Sequence, residues 1–220
     1  MEIKKTQASH LSNKYIPGGV SSINRLVSPA ISFVRGEGAY IWDSEGEKYI
    51  DFHAAFAPHL LGHNNHEVNS AVINTLKRQK SLFGSGPEEL EGELAELLCQ
   101  EIAAVEKVTF LNTGSEATAM AVKIARAITG RSHFIVMQGG YNGNSDEVAC
   151  NVFNSLDEIG QRVSPGEYPI CPLGAGTLIQ SQRFVHVVNY NDLESIKYVC
   201  DRYPVAAVLT EPVLQNIGVV

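Results

Sequence analysis

The chain has 220 residues, of which 44% are hydrophobic and 19% are charged, and its formal net charge at pH 7 is -7. This composition is that of a globular protein with enough apolar side chains for a sizeable core. The negative charge argues against a general nucleic-acid-binding surface, and no apolar run approaches the roughly 20 residues that span a bilayer.

The cysteines are widely spaced and form no C-x-x-C pair; they are Cys99, Cys150, Cys171 and Cys200. Free thiols in a reducing cytosol are the simplest interpretation of this spacing. The N-terminus also lacks the apolar segment of a signal peptide. We therefore expect a cytoplasmic location.

Short β-type runs follow the irregular first 24 residues. They span residues 31–35, 39–43 and 48–52, and glycine-containing turns separate them. Runs of this length joined by tight turns predict an antiparallel meander. A loop over residues 53–62 follows, and then a helix is predicted over residues 67–79.

The segment from Ser85 to Glu89 carries the signals of a helix start, namely a capping hydroxyl, a proline and two acidic residues. Apolar residues recur after it at helical spacing and predict a buried stripe. The residues of this stripe are Leu90, Leu94, Leu97, Leu98 and Ile102.

The stretch from Lys107 to Gly130 predicts a strand, a turn and a helix in succession. Val108, Phe110 and Leu111 form an apolar run that is long enough for one buried strand. After a small polar turn, apolar residues recur every three or four positions up to Gly130, a natural helix stop. The residues that this period assigns to one helix face are Ala117, Met120, Ala121, Ile124, Ala125 and Ile128.

The turn between this strand and helix is a candidate anion site. A strand that turns into a helix directs free backbone N–H groups and the positive end of the helix dipole at one point. Thr113, Gly114 and Ser115 are therefore the candidate residues for binding a phosphate. A purely structural turn is the alternative, because short anion motifs also match by chance.

The order of elements from residue 107 onward predicts an α/β fold with a mostly parallel sheet covered by helices. The elements are strand, helix, strand, a long excursion over residues 151–176, strand, helix and strand. Ligands bind at the carboxyl ends of the strands in such sheets. Three polar loops are expected to line one crevice there, at residues 112–115, 138–145 and 211–216.

Two of these loops contribute further candidate residues. Tyr141 lies among glycines, and an aromatic ring held in this way can lie flat against a planar ligand. Glu211 and Asn216 follow the last strand and can hydrogen-bond a ring oxygen or a cation. The structural alternatives are a surface tyrosine and a cap and turn around Pro212.

Metal and nucleophile patterns are weak. His63 and His66 match half of a metal site, but they lie in a turn without cysteine partners, so we predict no metal. No set of Ser, His and Asp residues, or of Cys and His residues, has a spacing that indicates a catalytic triad or dyad.

The motifs together resemble the class III aminotransferases of pyridoxal-phosphate fold type I, in particular glutamate-1-semialdehyde aminomutase and its aminotransferase relatives. The resemblance covers nearly the whole chain in order. The matching stretches are residues 16–20, 36–40, 42–43, 61–63, 83–91, 112–118, 140–143, 190–193 and 211–219.

This resemblance implies a domain organisation, a cofactor and the residues that bind the cofactor. Residues 1–60 would form an N-terminal lobe of the small domain, and residues 61–220 an incomplete cofactor-binding domain. The cofactor would be pyridoxal 5'-phosphate, with Gly114 and Ser115 at its phosphate, Tyr141 stacked on its ring, and Asn216 near its phenolic oxygen in the motif that contains Glu211.

The resemblance also implies a substrate site. Ser22 and Arg25 match positions that bind a substrate carboxylate in the aminomutase branch, a task that suits arginine because of its paired donors. Phe56 takes the place of an aromatic residue in the substrate pocket. The substrates would be a small-molecule amino donor and acceptor, and the active sites of the family form in a homodimer, so a dimer is expected.

Two departures favour an aminotransferase over the aminomutase, which stays as the alternative. The loop that usually reads Tyr-His-Gly-His is Tyr141-Asn142-Gly143-Asn144 here, and Phe56 replaces a more usual tryptophan. The family's cofactor-binding lysine and the aspartate that pairs with the pyridinium nitrogen lie beyond Val220. We therefore assign no catalytic residue and expect the 220 residues alone to be inactive.

Two hypotheses of another class remain open. One is a non-catalytic short paralogue that binds phosphate or caps a full-length partner. The other is a nucleotide-binding α/β module that acts by interaction.

Overall fold

The structure is a computed structural model that describes residues 7–28, 30–81 and 83–218. The chain divides into two compact units, Met1–Glu88 and Glu89–Val220. The boundary that the sequence predicted after residue 60 therefore lies inside the first unit. The assignment of the two predicted lobes to parts of the active site stays a prediction. Within the described ranges, none of the helices combines the length and the hydrophobicity that crossing a bilayer requires.

The first unit contains the predicted antiparallel meander. The three strands pair in chain order, β1 (Phe33–Glu37), β2 (Tyr40–Asp43) and β3 (Lys48–Ile50), and both pairings are antiparallel, so this prediction is confirmed. Asp43 is buried and fixes the second turn, because its carboxylate accepts hydrogen bonds from the N–H groups of Glu45 and Glu47 and from the hydroxyl of Tyr49. The elements of this unit are α1 (Gln7–Tyr15), β1 (Phe33–Glu37), β2 (Tyr40–Asp43), β3 (Lys48–Ile50) and α2 (His66–Lys77).

The second unit is built on a parallel sheet. Its central strand is β4 (His133–Met137), which pairs in parallel with β5 (Val185–Val188) on one side and with β6 (Val205–Leu209) on the other. The residues from Phe134 to Met137 are all buried, as expected for a central parallel strand that is covered on both faces. The elements are α3 (Glu89–Glu101), α4 (Gly114–Thr129), β4 (His133–Met137), α5 (Leu156–Ile159), β5 (Val185–Val188), α6 (Leu193–Cys200) and β6 (Val205–Leu209).

The predicted strand at residues 108–111 is wrong. The segment forms no strand, and Phe110 and Leu111 are 38% and 40% exposed. A strand needs a neighbour that pairs with its backbone N–H and C=O groups. In the described part of the chain this segment has no such neighbour, so local β propensity alone does not produce a strand.

The predicted buried stripe of helix α3 is also wrong. Leu90 and Leu94 are each 46% exposed, and Leu97 is 52% exposed. The helical period is correct, since α3 covers the predicted segment. Burial additionally requires an opposing apolar surface, and the described residues do not bury this stripe.

Helix α4 begins and ends as predicted but packs through a different face. Gly130 ends it in the left-handed conformation, with φ of 67°. The predicted apolar face is largely exposed, with Met120 at 37%, Ile124 at 44% and Ile128 at 80%. The buried residue is Val122. The packed face places Val122 in the core with Phe134 and Val136, and its polar residues hydrogen-bond to the loop after β4.

The long excursion between β4 and β5 is fastened by one side chain. Asn151 is fully buried, with φ of 53°, and its side-chain amide donates to the side-chain oxygen of Gln138 (3.0 Å) and to the carbonyl of Pro169 (2.9 Å). Its side-chain oxygen accepts from the N–H of Cys171 at 2.8 Å. The excursion is therefore tied to the carboxyl end of β4 and is not a free loop.

Candidate functional site

Helix α4 starts with a capping box. The hydroxyl oxygen of Thr113 accepts a hydrogen bond from the N–H of Glu116 at 3.1 Å. The Glu116 carboxylate in turn accepts from the N–H groups of Asn112 (2.8 Å) and Thr113 (3.1 Å). The turn thus satisfies three backbone donors internally, and Thr113 acts first of all as the helix cap.

The N–H groups of Gly114 and Ser115 are left without an acceptor among the described residues. A Cβ added at Gly114 would meet no atom within 4 Å, so the space beside this turn is open. Two uncommitted donors at the positive end of a 16-residue helix form an anion-binding arrangement. The assignment of Gly114 and Ser115 to a phosphate stays a prediction.

The loop after β4 contacts this helix start. The N–H of Asn144 donates to the hydroxyl oxygen of Ser115 at 3.0 Å, and the hydroxyl of Thr118 donates to the carbonyl of Asn142 at 2.7 Å. Gly143 lies between them, and a Cβ at this position would be 2.8 Å from the Cα of Ser115. Only glycine permits this approach, so the loop that carries Tyr141 is fixed beside the anion-binding turn.

The loop after β6 packs against the same segment. A Cβ at Gly139 would lie 2.3 Å from a methyl carbon of Ile217, and the side chain of Leu214, which is 1% exposed, lies beside Gly140. The hydroxyl of Tyr190 donates to the carbonyl of Pro212 at 2.5 Å and so holds the start of this loop. The structure therefore brings the three predicted strand-end loops together.

The candidate side chains of these loops are at least partly exposed and can contact a ligand. Tyr141 is 45% exposed and its hydroxyl has no partner among the described residues. Glu211 is half-buried and Asn216 is exposed. Aromatic, acidic and amide side chains thus lie on loops that pack together beside the N–H donors of the turn, which suits a ligand with a phosphate and a planar polar ring.

The remaining candidates lie in the first unit. The carbonyl of Ser22 accepts from the N–H of Arg25 (2.9 Å) at a short 3-10 turn. The guanidinium of Arg25 is exposed and has no acceptor among the described residues. It is therefore free to bind a carboxylate, although its role stays a prediction.

Phe56 lies in a strained segment. The four residues Ala54 to Ala57 all have positive φ, with 68° at Phe56, although none is glycine. The N–H of Phe56 donates to the imidazole of His53 at 3.2 Å, and the two rings pack edge to face at 4.3 Å between centroids. Backbone strain of this kind occurs at functional sites more often than elsewhere. The segment is held by Asp51, whose side chain accepts from the N–H groups of His53 and Ala54.

Sequence reasoning missed the residues that join the loops. Thr118 and Asn144 make hydrogen bonds across 24 and 29 positions of the sequence, and no local pattern indicates such pairs. The glycines on either side of Tyr141 were the available signal. They indicated close approach, but not which residues approach.

A family comparison identifies the class of protein. The model of the family described as aminotransferase class-III matches residues 22–220, and the chain therefore belongs to this family. Among solved structures, an omega-transaminase from Sphaerobacter thermophilus superposes with a TM-score of 0.89 at 29% identity, over 99% of this chain and 49% of that one. A structure described as a transaminase with PLP bound has a TM-score of 0.83 at 30% identity, over 97% of this chain and 48% of that one. These likenesses confirm the predicted fold class.

The curated relatives include aminomutases. Glutamate-1-semialdehyde 2,1-aminomutase from Syntrophomonas wolfei is 37% identical over 213 residues, which cover 94% of this chain and 47% of that protein. The same enzyme from Methanothrix thermoacetophila is 36% identical over 206 residues, or 93% and 45%. This chain spans about half the length of the relatives that it matches.

Proposed function

We propose that this chain supplies the cofactor-phosphate side of the active site of a pyridoxal-phosphate-dependent aminotransferase, which moves an amino group between a small amino donor and a keto or aldehyde acceptor. The observation that carries the proposal is the start of α4, where the free N–H groups of Gly114 and Ser115 face open space. Family membership supports the same reaction class.

The residues fit this cofactor. Gly114 and Ser115 would bind the phosphate through their N–H groups, and Ser115 would add its hydroxyl proton, because its oxygen already accepts from Asn144. Tyr141 would pack against the ring, while Asn216 and Glu211 would face its polar edge, with Thr113 holding the helix start in place. Pyridoxal phosphate, when bound, supplies the electron-accepting ring that amino-group transfer needs.

The substrate part of the proposal rests on the first unit. Ser22 and Arg25 would bind the substrate carboxylate, and Phe56 would line the pocket. The guanidinium of Arg25 is exposed and unpaired among the described residues, as a carboxylate-binding group requires before substrate arrives.

The decisive experiment measures how the protein recognises a phosphate group. It uses ligands that lack the aldehyde of pyridoxal phosphate, so that no covalent bond to an amine contributes to binding. Pyridoxine 5'-phosphate and pyridoxine are titrated into the protein and their dissociation constants are compared by calorimetry. The phosphate should tighten binding at least about tenfold, and Ser115→Ala, which removes the hydroxyl but keeps both backbone N–H groups, should remove part of this difference without weakening pyridoxine. Ser132→Ala, a serine beyond the other end of α4, should leave both constants unchanged. Equal binding of the two ligands would refute the proposal.

The aminomutase is the second candidate, and the names of the curated relatives favour it. An aminomutase moves the amino group within one molecule and needs no separate acceptor. The longer protein that contains this chain can therefore be assayed with a single amino-bearing substrate. Turnover that requires a keto acid supports the aminotransferase, and turnover without one supports the aminomutase.

We extend the proposal to a homodimer in the cytoplasm. The exposed apolar side chains of α4, at Met120, Ile124 and Ile128, support association with another protein surface. Light scattering of the longer protein should give twice the mass of one chain. The inactivity of the 220 residues alone stays a prediction, and an assay of that chain tests it.

A further inference from the structure

A cavity that is largely open to solvent lies in the Glu89–Val220 unit. It has a volume of about 630 Å³, within the range of small-molecule sites. Its walls come from the last turn of α4 through Arg126, from Ser132, and from the segment that leads into β5 through Gln180, Arg183 and Phe184. Since β4 and β5 are parallel, these residues lie at the amino edge of the sheet, a strand length of roughly 15 Å from the carboxyl edge.

The lining of this cavity carries more positive than negative charge. Arg126 pairs with Glu147 through a hydrogen bond of 2.6 Å, so these two charges largely offset each other. Arg183 has no carboxylate or carbonyl partner among the described residues, and its guanidinium carbon lies 4.5 Å from the centroid of the Phe184 ring. The carboxylate of Asp146 accepts from the N–H of Leu178, and Asp146 is not among the lining residues. One uncompensated positive charge therefore remains in the lining.

Uncommitted hydrogen-bonding groups surround this charge. The second terminal nitrogen of Arg126 is buried and has no hydrogen-bond partner in the described part of the chain. A buried guanidinium N–H without an acceptor is costly, and such groups in native proteins generally indicate a missing partner. The side chains of Ser132, Gln180 and Ser181 are likewise unpaired among the described residues. The lining thus adds groups that can both donate and accept hydrogen bonds beside the positive charge.

The rest of the lining is apolar. Leu178 and the ring of Phe184 form one wall, and the guanidinium groups of Arg126 and Arg183 lie 6.0 and 4.5 Å from the centroid of that ring. Guanidinium groups held against an aromatic ring are preordered for a planar anion. We propose that this cavity is a second binding site, for a small monocarboxylate that carries an apolar or aromatic group. The carboxylate would bind the exposed guanidinium of Arg183, and the apolar group would contact Leu178.

Benzoate is a suitable probe, and benzamide is its uncharged counterpart of nearly the same shape. Both are titrated by calorimetry into the purified protein. Benzoate should bind at least about tenfold more tightly than benzamide, because only the carboxylate makes charge-assisted hydrogen bonds. Absence of benzoate binding up to about 10 mM would overturn the proposal, as would equal binding of the two.

Substitutions locate the binding. Arg183→Ala should weaken benzoate about tenfold or more, and Leu178→Glu should abolish binding by placing a negative charge in the cavity. Both side chains are exposed, so the fold is retained. Arg202→Ala is the matched control, since Arg202 also lies over a ring, 3.6 Å from the centroid of Tyr198, outside the cavity. It should leave benzoate binding unchanged.

This site is independent of the proposed cofactor site, and the test distinguishes them. Pyridoxine 5'-phosphate should not displace benzoate, and Ser115→Ala should bind benzoate like the unsubstituted protein. Displacement, or the loss of binding in Ser115→Ala, would assign benzoate to the strand-end loops and overturn the second site.

Discussion

The backbone N–H of Asn144 donates a hydrogen bond of 3.0 Å to the hydroxyl oxygen of Ser115, 29 positions earlier in the chain. This bond joins the loop after β4 to the first turn of α4. Because the Ser115 oxygen accepts from the backbone, its own proton is left to donate to a ligand. One contact therefore positions the Tyr141 loop and orients a hydroxyl of the candidate phosphate site.

Gly143→Ala should separate that loop from the helix. Gly143 has φ of 102°, and the added Cβ would lie 2.8 Å from the Cα of Ser115, a backbone atom that cannot move aside cheaply. Backbone strain and the clash together should reduce the free energy of unfolding by about 2–4 kcal/mol, as measured by urea denaturation.

Gly130→Ala is the control that measures the cost of a positive φ without a steric clash. Gly130 also has positive φ, but a Cβ there would meet nothing within 4 Å, so only about 1 kcal/mol should be lost. Equal losses for the two variants would show that the close approach at Gly143 contributes nothing to stability.

Asn151→Ala should loosen the excursion between β4 and β5. The substitution leaves the N–H of Cys171 and the carbonyl of Pro169 without their buried partner. Unsatisfied buried groups of this kind should lower the free energy of unfolding by about 3 kcal/mol. Asn154→Ala, three residues on and without a side-chain hydrogen bond among the described residues, should change it by about 0.5 kcal/mol or less. A loss of the same size at both positions would contradict the role given to Asn151.

The predictable part of the fold is the part that depends on local chemistry. The helical period and the glycine stop of α4 follow from sequence, as does the parallel sheet whose central strand is continuously apolar from Phe134 to Met137. The turn at Asn112–Ser115 was predictable as well, since capping and helix-end N–H groups are local properties.

The packed face of α4 was not predictable from hydrophobicity. Half of the residues on its inward side are polar, and the side recurs at helical spacing through Ser115, Thr118, Ala119, Val122, Ala125 and Arg126. Val122 is part of the hydrophobic core, whereas the polar residues lie inward because distant loops donate to them, accept from them or pair with them, as Glu147 does with Arg126. The apolar residues on the other side lack a partner within the described residues, so an apolar period does not by itself identify the buried face.

The four cysteines should differ strongly in reactivity. Burial raises the pKa of the Cys150 thiol to about 12, whereas Cys200 is exposed. The thiolate is the reactive form, so at pH 8 a disulfide reagent such as DTNB should label Cys200 rapidly and leave Cys150 unmodified. Mass spectrometry after brief labelling identifies the site, and Cys200→Ser should remove the fast phase. Rapid labelling of Cys150 in the folded protein would contradict its burial.

A chain of titratable groups crosses the amino edge of the sheet. The imidazole nitrogens of His133 and His186 lie 2.8 Å apart, and the other nitrogen of His186 pairs with Glu167 of the excursion. The ring of Tyr203 packs against both imidazoles, at 5.1 and 4.2 Å between centroids. Phe184 contacts His133 edge to face.

Acid should destabilise the protein through His133. Burial, followed by the nearby His186 and Arg126, lowers the pKa of His133 from its ordinary value of 6.5, and Glu167 opposes this only in part. Below that ordinary value the unfolded chain binds more protons at this site than the folded protein. The contribution to stability is therefore complete above about pH 6.5 and is lost as the pH falls through the lowered pKa. Urea denaturation from pH 7.5 to 5.0 should show a smaller pH dependence for His133→Gln than for the unsubstituted protein. His10→Gln, at an exposed position of α1, should keep the original dependence, and an unchanged slope in His133→Gln would rule out His133 as its source.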